Sequence, residues 1–142
     1  MQHASPHNRP LIEWRPGVLT RLHAASSTGS EQLCVLEQVC APGTGAPPHR
    51  HEGVEELVAV LEGRARFFVA AEEAELTAGE SVIVPAGARH GFTNVGEDVL
   101  RVLAVFSAPA PAVEYEGEPE ILEIGGLGGR RRDDHRAYLD DA

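Results

Sequence analysis

The chain has 142 residues, of which 42% are hydrophobic and 24% are charged, a composition typical of one globular domain rather than a disordered or fibrous chain. Acidic residues outnumber basic residues by 22 to 12, and the net charge of −10 argues against a nucleic-acid partner, because a phosphate backbone needs a basic surface. No apolar run approaches the roughly 18 residues of a membrane helix, and residues 1–10 lack the apolar core of a secretory signal, so we expect a cytoplasmic protein with no membrane partner.

The two ends of the chain differ in composition from its middle. Residues 1–10 are polar and punctuated by proline, which predicts a flexible N-terminal arm. Residues 125–142 read GGLGGRRRDDHRAYLDDA, which predicts a Gly-rich and charged C-terminal tail. The folded domain is therefore predicted over residues 11–124.

The middle of the chain is predicted to be all-β, because no helical period of ten or more residues occurs there. Short apolar and β-branched runs follow one another, separated by turns with Gly or Pro: Val18–His23, Gln32–Cys40, Glu56–Leu61, Ala65–Ala70, Glu75–Thr77, Ser81–Val84, Gly91–Asn94 and Leu100–Phe106. The run Leu57–Leu61 is apolar at both parities, which indicates that both faces of its sheet are covered. A single closed or double-sheet barrel satisfies this pattern, with a dimer interface as one candidate outer cover.

The chain's two cysteines lie in the predicted strand Gln32–Cys40. Cys34 and Cys40 share a parity and therefore a face, but the rise per residue separates them by about 20 Å within one strand. The sequence has no CxxC spacing, so we expect two buried, reduced thiols.

Candidate metal ligands concentrate near the centre of the chain. His49 and His51 are two residues apart, so on an extended strand both imidazoles point to the same face, as a chelating pair needs. Glu56 follows at an odd spacing, and we expect Gly53 to turn the chain so that this carboxylate returns to the same face. Glu55 is an alternative to Glu56, because a slip of one residue would exchange them.

His90 follows the turn sequence PAG and is expected to join these residues from a neighbouring strand. Three neutral imidazoles and one carboxylate suit one divalent transition-metal ion, and iron, manganese, zinc, nickel and copper all accept such ligands. Four protein ligands leave open positions on an ion that prefers five or six, which leaves room for a substrate. The predicted metal site consists of His49, His51, Glu56 and His90.

These residues fall within two spaced motifs that resemble those of the cupin family. The first, a Gly, five residues, His-x-His, three or four residues, Glu, six residues and Gly, is matched by Gly43, His49, His51, Glu56 and Gly63. The second, a Gly, five residues, Pro-x-Gly, two residues, His, three residues and Asn, is matched by Gly79, Pro85, Gly87, His90 and Asn94. The resemblance implies a double-stranded β-helix, a jelly-roll-like cupin barrel in a single domain. It also implies metal ligation by these three histidines and the glutamate, and frequently a homodimer.

Other residues near the motifs have roles that are not metal ligation. We expect Asn94 to hydrogen-bond the backbone of the turn over residues 95–98. Phe92 shares the parity of His90, and we expect it to form an apolar wall near the metal. In the strand over residues 65–70, the sequence does not decide whether the odd or the even positions face the barrel interior.

The cupin fold carries many activities, so the resemblance does not select one reaction. We expect a metal-dependent enzyme that acts on a small molecule, and we favour a dioxygenase-like oxidoreductase in which Glu56 is both ligand and catalytic proton acceptor. One alternative is a non-oxidative Lewis-acid isomerase, cyclase or lyase. Another is a cupin that binds a small molecule without turnover.

Overall fold

The computed structural model describes residues 1–125 and 130–132. That part of the chain forms thirteen strands and one short 3-10 turn, Ser26–Thr28, so the all-β prediction is confirmed. The strands are β1 Leu11–Arg15, β2 Val18–Ala24, β3 Cys34–Cys40, β4 Gly45–Arg50, β5 Glu56–Glu62, β6 Arg64–Val69, β7 Glu72–Thr77, β8 Ser81–Val84, β9 His90–Asn94, β10 Leu100–Phe106, β11 Ala112–Tyr115, β12 Ile121–Glu123 and β13 Arg130–Arg132.

The strands form two antiparallel sheets that face each other. One has seven strands in the order β13-β1-β2-β3-β10-β5-β8, and the other has six in the order β12-β11-β4-β9-β6-β7. Consecutive strands repeatedly change sheet, as from β3 to β4, β4 to β5 and β9 to β10, which is the connectivity of a jelly roll. The predicted jelly-roll-like cupin barrel is therefore confirmed.

The core lies between the two sheets and follows the two-residue period of the strands. Strand β10 alternates strictly between buried and half-buried residues, with Leu100, Val102, Ala104 and Phe106 facing inward. One core cluster packs around Phe67 and Leu100, and a second packs around Leu36 and Phe106. The candidate metal ligands lie between these clusters, as described below.

Strand β6 illustrates how the sheet separates its two faces. Ala65 and Phe67 are buried, whereas Arg64 and Arg66 are exposed on the outside and form ion pairs with glutamates of β7. The odd positions of this strand therefore face the barrel interior. No arginine of β6 reaches the interior to bind an anionic substrate.

Both cysteines lie on the inner face of β3 as buried free thiols, which confirms the prediction. Burial raises the pKa of Cys34 and of Cys40 to about 12, so both are neutral thiols at physiological pH. The two cysteines are six residues apart along one extended strand, and this separation explains why they do not pair.

The described residues contain no helix that is both long and apolar enough to cross a membrane. All eight predicted β runs correspond to strands, with bounds that agree within three residues. The division into an N-terminal arm, a domain over residues 11–124 and a C-terminal tail stays a prediction. Most of the tail, residues 126–129 and 133–142, lies outside the described residues.

Candidate metal centre

Three segments of the chain bring the predicted ligands together. His49 lies in β4 directly opposite His90 at the start of β9, because these strands pair in antiparallel register. His51 follows the end of β4, and the chain then turns at Gly53, which has a positive φ of 71°. Strand β5 begins with Glu56, whose carboxylate faces inward. The turn at Gly53 therefore has the predicted effect of returning Glu56 to the face of the histidines.

The four side chains form a compact and buried group. One candidate ligand atom from each of His49, His51, Glu56 and His90 lies within 4.8 Å of all the others. None of the four residues is more than 8% exposed. No second group of three or more such residues occurs among residues 1–125 and 130–132. The structure thus brings together all of the residues that the sequence singled out.

A backbone carbonyl fixes the tautomer of each histidine. The Nδ1 atoms of His49, His51 and His90 lie 2.7, 2.9 and 2.9 Å from the carbonyl oxygens of Pro47, Ala112 and Ala88. A carbonyl can only accept a hydrogen bond, so each Nδ1 carries a proton and each Nε2 is the ring nitrogen left to bind a metal ion. This arrangement is typical of metal-ligating histidines, whose other nitrogen is held by an acceptor.

The group contains a buried ring nitrogen that a cation would satisfy. The Nε2 of His51 is buried and has no hydrogen-bond partner among the described residues. It lies 3.3 Å from Glu56 Oε1, and His90 Nε2 lies 2.9 Å from the same oxygen. An unsatisfied buried nitrogen lone pair costs free energy, and a divalent cation coordinated by these atoms would remove that cost.

The pKa values of His49 and Glu56 favour the protonation states that metal ligands need. Burial, followed by the neighbouring rings of His90 and His51, lowers the pKa of His49 to about 3. Burial alone would raise the pKa of Glu56, but the imidazoles of His51 and His90 outweigh it and lower that pKa to about 2. At neutral pH, His49 is therefore a neutral donor and Glu56 an ionised one, so the residues present fit a divalent metal.

The cavity beside these residues has a volume of about 30 Å³, room for only one or two waters. Its walls are mainly apolar and include Phe92, as predicted, together with Val58, Val102, Phe106 and Val113. Apolar walls limit access of water and strengthen electrostatic interactions inside the site.

Two polar residues of this cavity were not predicted from the sequence. Gln38 is buried on the inner face of β3, and its Nε2 donates to Thr20 Oγ1 over 3.3 Å. Tyr115 lies opposite His49 across the β4–β11 pair, with ring centroids 5.4 Å apart. Burial raises the pKa of its phenol, so Tyr115 carries a proton at neutral pH. In the sequence, Gln38 shares the parity of Cys34 and Cys40 and therefore their face of the strand. No comparable sequence pattern indicates Tyr115.

Glu55 and Asn94 lie outside the group and have other contacts. Glu55 is exposed, and its backbone N–H donates to Ser107 Oγ, so its side chain is not part of the group. The Asn94 amide nitrogen donates to the carbonyls of Cys40 and Asp98, and its oxygen accepts from the N–H of Gly96. Asn94 thus holds the turn that it was predicted to hold.

Comparisons with known proteins agree with this geometry. A family model described as "Cupin domain" matches residues 36–106, which is half of the chain. "Polyketide synthase CurC" of Streptomyces cyaneus is 28% identical over 121 residues, a match that covers 85% of this chain and 72% of that protein.

Solved structures show the same fold at low sequence identity. An oxalate oxidase in complex with glycolate superposes with a TM-score of 0.64 at 20% identity, over 70% of this chain and 55% of that one. Oxalate decarboxylase from Bacillus subtilis superposes with a TM-score of 0.69 at 21% identity, over 78% of this chain and 30% of that one. The chain thus spans about half of the oxidase and under a third of the decarboxylase.

Proposed function

We propose, from the premise that this chain belongs to the cupin family, that it is a metal-dependent enzyme that carries out a dioxygenase-like oxidation of a small molecule. One observation carries this proposal: three imidazoles, each held by a carbonyl at Nδ1, and one buried carboxylate bring their ligand atoms within 4.8 Å of one another. Such a set leaves coordination positions open for substrate oxygen atoms. The resident ion is one of iron, manganese, zinc, nickel or copper.

A divalent ion bound there would supply Lewis acidity toward substrate oxygens and, in the case of iron or manganese, redox chemistry with dioxygen. The chain itself would contribute a proton acceptor, because Glu56 is ionised and has a second carboxylate oxygen. The Gln38 carboxamide, held by Thr20, would orient a polar group of the substrate. The apolar walls would keep water away from the reacting atoms.

The walls also indicate the chemistry of the substrate. Because the cavity beside the candidate ligands holds only one or two waters, a substrate can insert only its oxygen-bearing end there, as an enol or a catechol could. The relative named as a polyketide synthase supports an enolisable carbonyl compound, since polyketides carry alternating carbonyl groups.

Oxygen uptake tests the oxidative reaction. The tag-free protein is loaded separately with iron, manganese, nickel, copper and zinc and is mixed with catecholic and enolic substrates. We expect oxygen consumption with iron or manganese. We expect kcat to fall at least about 100-fold in Glu56→Gln, because that variant loses the proton acceptor. The Glu55→Gln variant changes the exposed neighbouring carboxylate and serves as the control.

Absence of oxygen consumption with every metal would overturn the oxidative proposal. A non-oxidative Lewis-acid reaction is the second candidate, and the polyketide synthase relative favours it, because enolisation of a carbonyl also precedes cyclisation. Anaerobic conversion of an enolic substrate by the zinc-loaded protein would identify that activity. Binding without turnover under both conditions would instead identify a non-catalytic cupin.

We also infer a homodimer, supported by an apolar groove on the outside of the seven-stranded sheet. The groove is lined by Leu33, Leu57, Ile83 and Val105, and Ile83 is 61% exposed. It borders β8, the last strand of its sheet, so a second copy related by a two-fold axis could cover the same groove on both molecules.

Sedimentation velocity tests the dimer. We expect the wild-type protein to sediment as a dimer and Ile83→Glu as a monomer, because a carboxylate would be buried without a partner in the interface. Ile121→Glu changes an equally exposed isoleucine on the other sheet, and this control variant should remain dimeric. A wild-type monomer at about 50 μM would contradict the inference.

The predicted cytoplasmic location remains a proposal.

A further inference from the structure

A second, larger cavity adjoins the cavity beside the candidate metal ligands. It has a volume of about 200 Å³ and is lined mainly by apolar side chains of β1 and β2, among them Ile12 and Leu22. Trp14, Leu36 and Ile124 line both cavities, so the two share a wall. We call the larger one the outer cavity. Its volume suits an apolar body of about ten heavy atoms.

Arg9 is the charged residue of the outer cavity. Of the described residues that line this cavity, the others are apolar side chains, glycine and Thr20. The Nε atom of Arg9 is buried and has no hydrogen-bond partner within residues 1–125 and 130–132. The guanidinium donates from Nη1 to the carbonyl of Asn8, 3.0 Å away. An unpaired buried N–H beside an apolar cavity favours binding of an anionic acceptor.

Contacts with the barrel hold Arg9 in this position. The buried guanidinium of Arg21, in β2, donates from Nη1 to the carbonyl oxygen of Arg9. Glu37, in β3, lies 3.5 Å from Arg21 Nε and so orients the donor. The N–H of Arg9 also donates to the carbonyl of Ser5 over 2.9 Å, which closes a turn. Arg9 is thus placed by the sheet that forms the cavity wall.

We propose that the outer cavity binds the apolar body of a small carboxylic acid and that Arg9 pairs with its carboxylate. The Arg9 guanidinium offers parallel N–H donors that match the two carboxylate oxygens. Because the two cavities share a wall, such a molecule lies next to the candidate metal ligands. The end opposite its carboxylate then lies toward Trp14 and the cavity beside those ligands. That this carboxylic acid is the substrate rests on the proposed function, whereas its binding to the outer cavity does not.

A matched pair of probes tests the subsite. 2-Naphthoate and 2-naphthamide have nearly the same shape but differ in charge, and their affinities are measured by calorimetry on the purified, metal-loaded protein. We expect 2-naphthoate to bind about tenfold more tightly than 2-naphthamide. In Arg9→Met the affinity for 2-naphthoate should fall about tenfold, while the affinity for 2-naphthamide stays within about twofold.

Two further variants complete the experiment. Arg66→Met removes an exposed arginine of β6 outside the outer cavity and should change neither affinity, which excludes an effect of net charge. Leu22→Trp fills the cavity without adding a charge and should abolish the binding of both probes. Equal affinity for the two probes, or an unchanged preference in Arg9→Met, would overturn the proposal. Binding requires no turnover, so failure of the oxygen-uptake experiment and failure of the subsite are distinguishable.

Discussion

Replacement of Gly45 by alanine is expected to lower the free energy of unfolding by about 3 kcal/mol, one of the largest effects of a single methyl group in this barrel. Gly45 pairs with Thr93 where β4 crosses β9. A Cβ atom built at Gly45 would overlap the carbonyl oxygen of Phe92 and lie 2.9 Å from its carbonyl carbon. Backbone cannot move aside as a flexible side chain can, so the two strands must separate.

The same variant is expected to weaken metal binding, because β4 and β9 carry His49 and His90. Thermal unfolding measures the stability, and we expect a fall in Tm of about 10 °C for a chain of this size. Gly96→Ala is the matched control, since its nearest neighbour is Asn94 Oδ1 at an ordinary 3.4 Å. A fall in Tm of similar size in both variants would contradict the assigned close approach of β4 and β9.

Replacement of His51 by alanine is expected to lower the affinity for the metal at least about 100-fold while the barrel remains folded. The side chain supplies the buried Nε2 that has no other partner among the described residues, and its ring is oriented by the carbonyl of Ala112. Without that ligand, His49, Glu56 and His90 remain, and they form a three-coordinate protein site. Competition with a chromophoric chelator measures the affinity, and circular dichroism measures the fold.

His23→Ala is the control for this experiment, because His23 is a half-buried histidine of β2 that is not part of the group. Its metal affinity should equal that of the wild type. If His51→Ala also retained wild-type affinity, His51 would not be a ligand and the predicted set would be wrong.

The candidate site could be read from the sequence because its ligands are close together in the chain and follow simple geometry. The His-x-His pair needs only the two-residue period of an extended segment, and Gly53 supplies the turn that the spacing of Glu56 requires. His90 is farther away, and the second motif identified it. Its position opposite His49 depends on the pairing of β4 with β9.

Strand β4 was not predicted, although it carries part of the site. Its sequence, GAPPHR, contains two consecutive prolines, which lack the N–H that a strand needs and therefore argue against a strand. The structure accommodates Pro47 and Pro48 at an irregularity in the register between Ala46 and His49. Local propensity favoured a loop here, and pairing with β9 overrides it.

The remaining residues of the two cavities could not be predicted because tertiary structure alone brings them together. Tyr115 reaches the ligand cluster through pairing of β11 with β4, and Gln38 reaches it across the barrel. Arg9 lies in a segment whose composition predicted only a flexible arm, and its position depends on Arg21. Their positions depend on strands that are distant in sequence, and only Gln38 has a local signal, the parity that it shares with the buried Cys34 and Cys40.

Elemental analysis by plasma mass spectrometry of protein purified without a histidine tag tests the central claim most directly. The account predicts close to one equivalent of a single divalent transition metal per chain, retained through gel filtration and absent from His49→Ala and His90→Ala. Absence of metal under every loading condition, or equal metal in the wild type and both variants, would contradict a metal centre formed by His49, His51, Glu56 and His90.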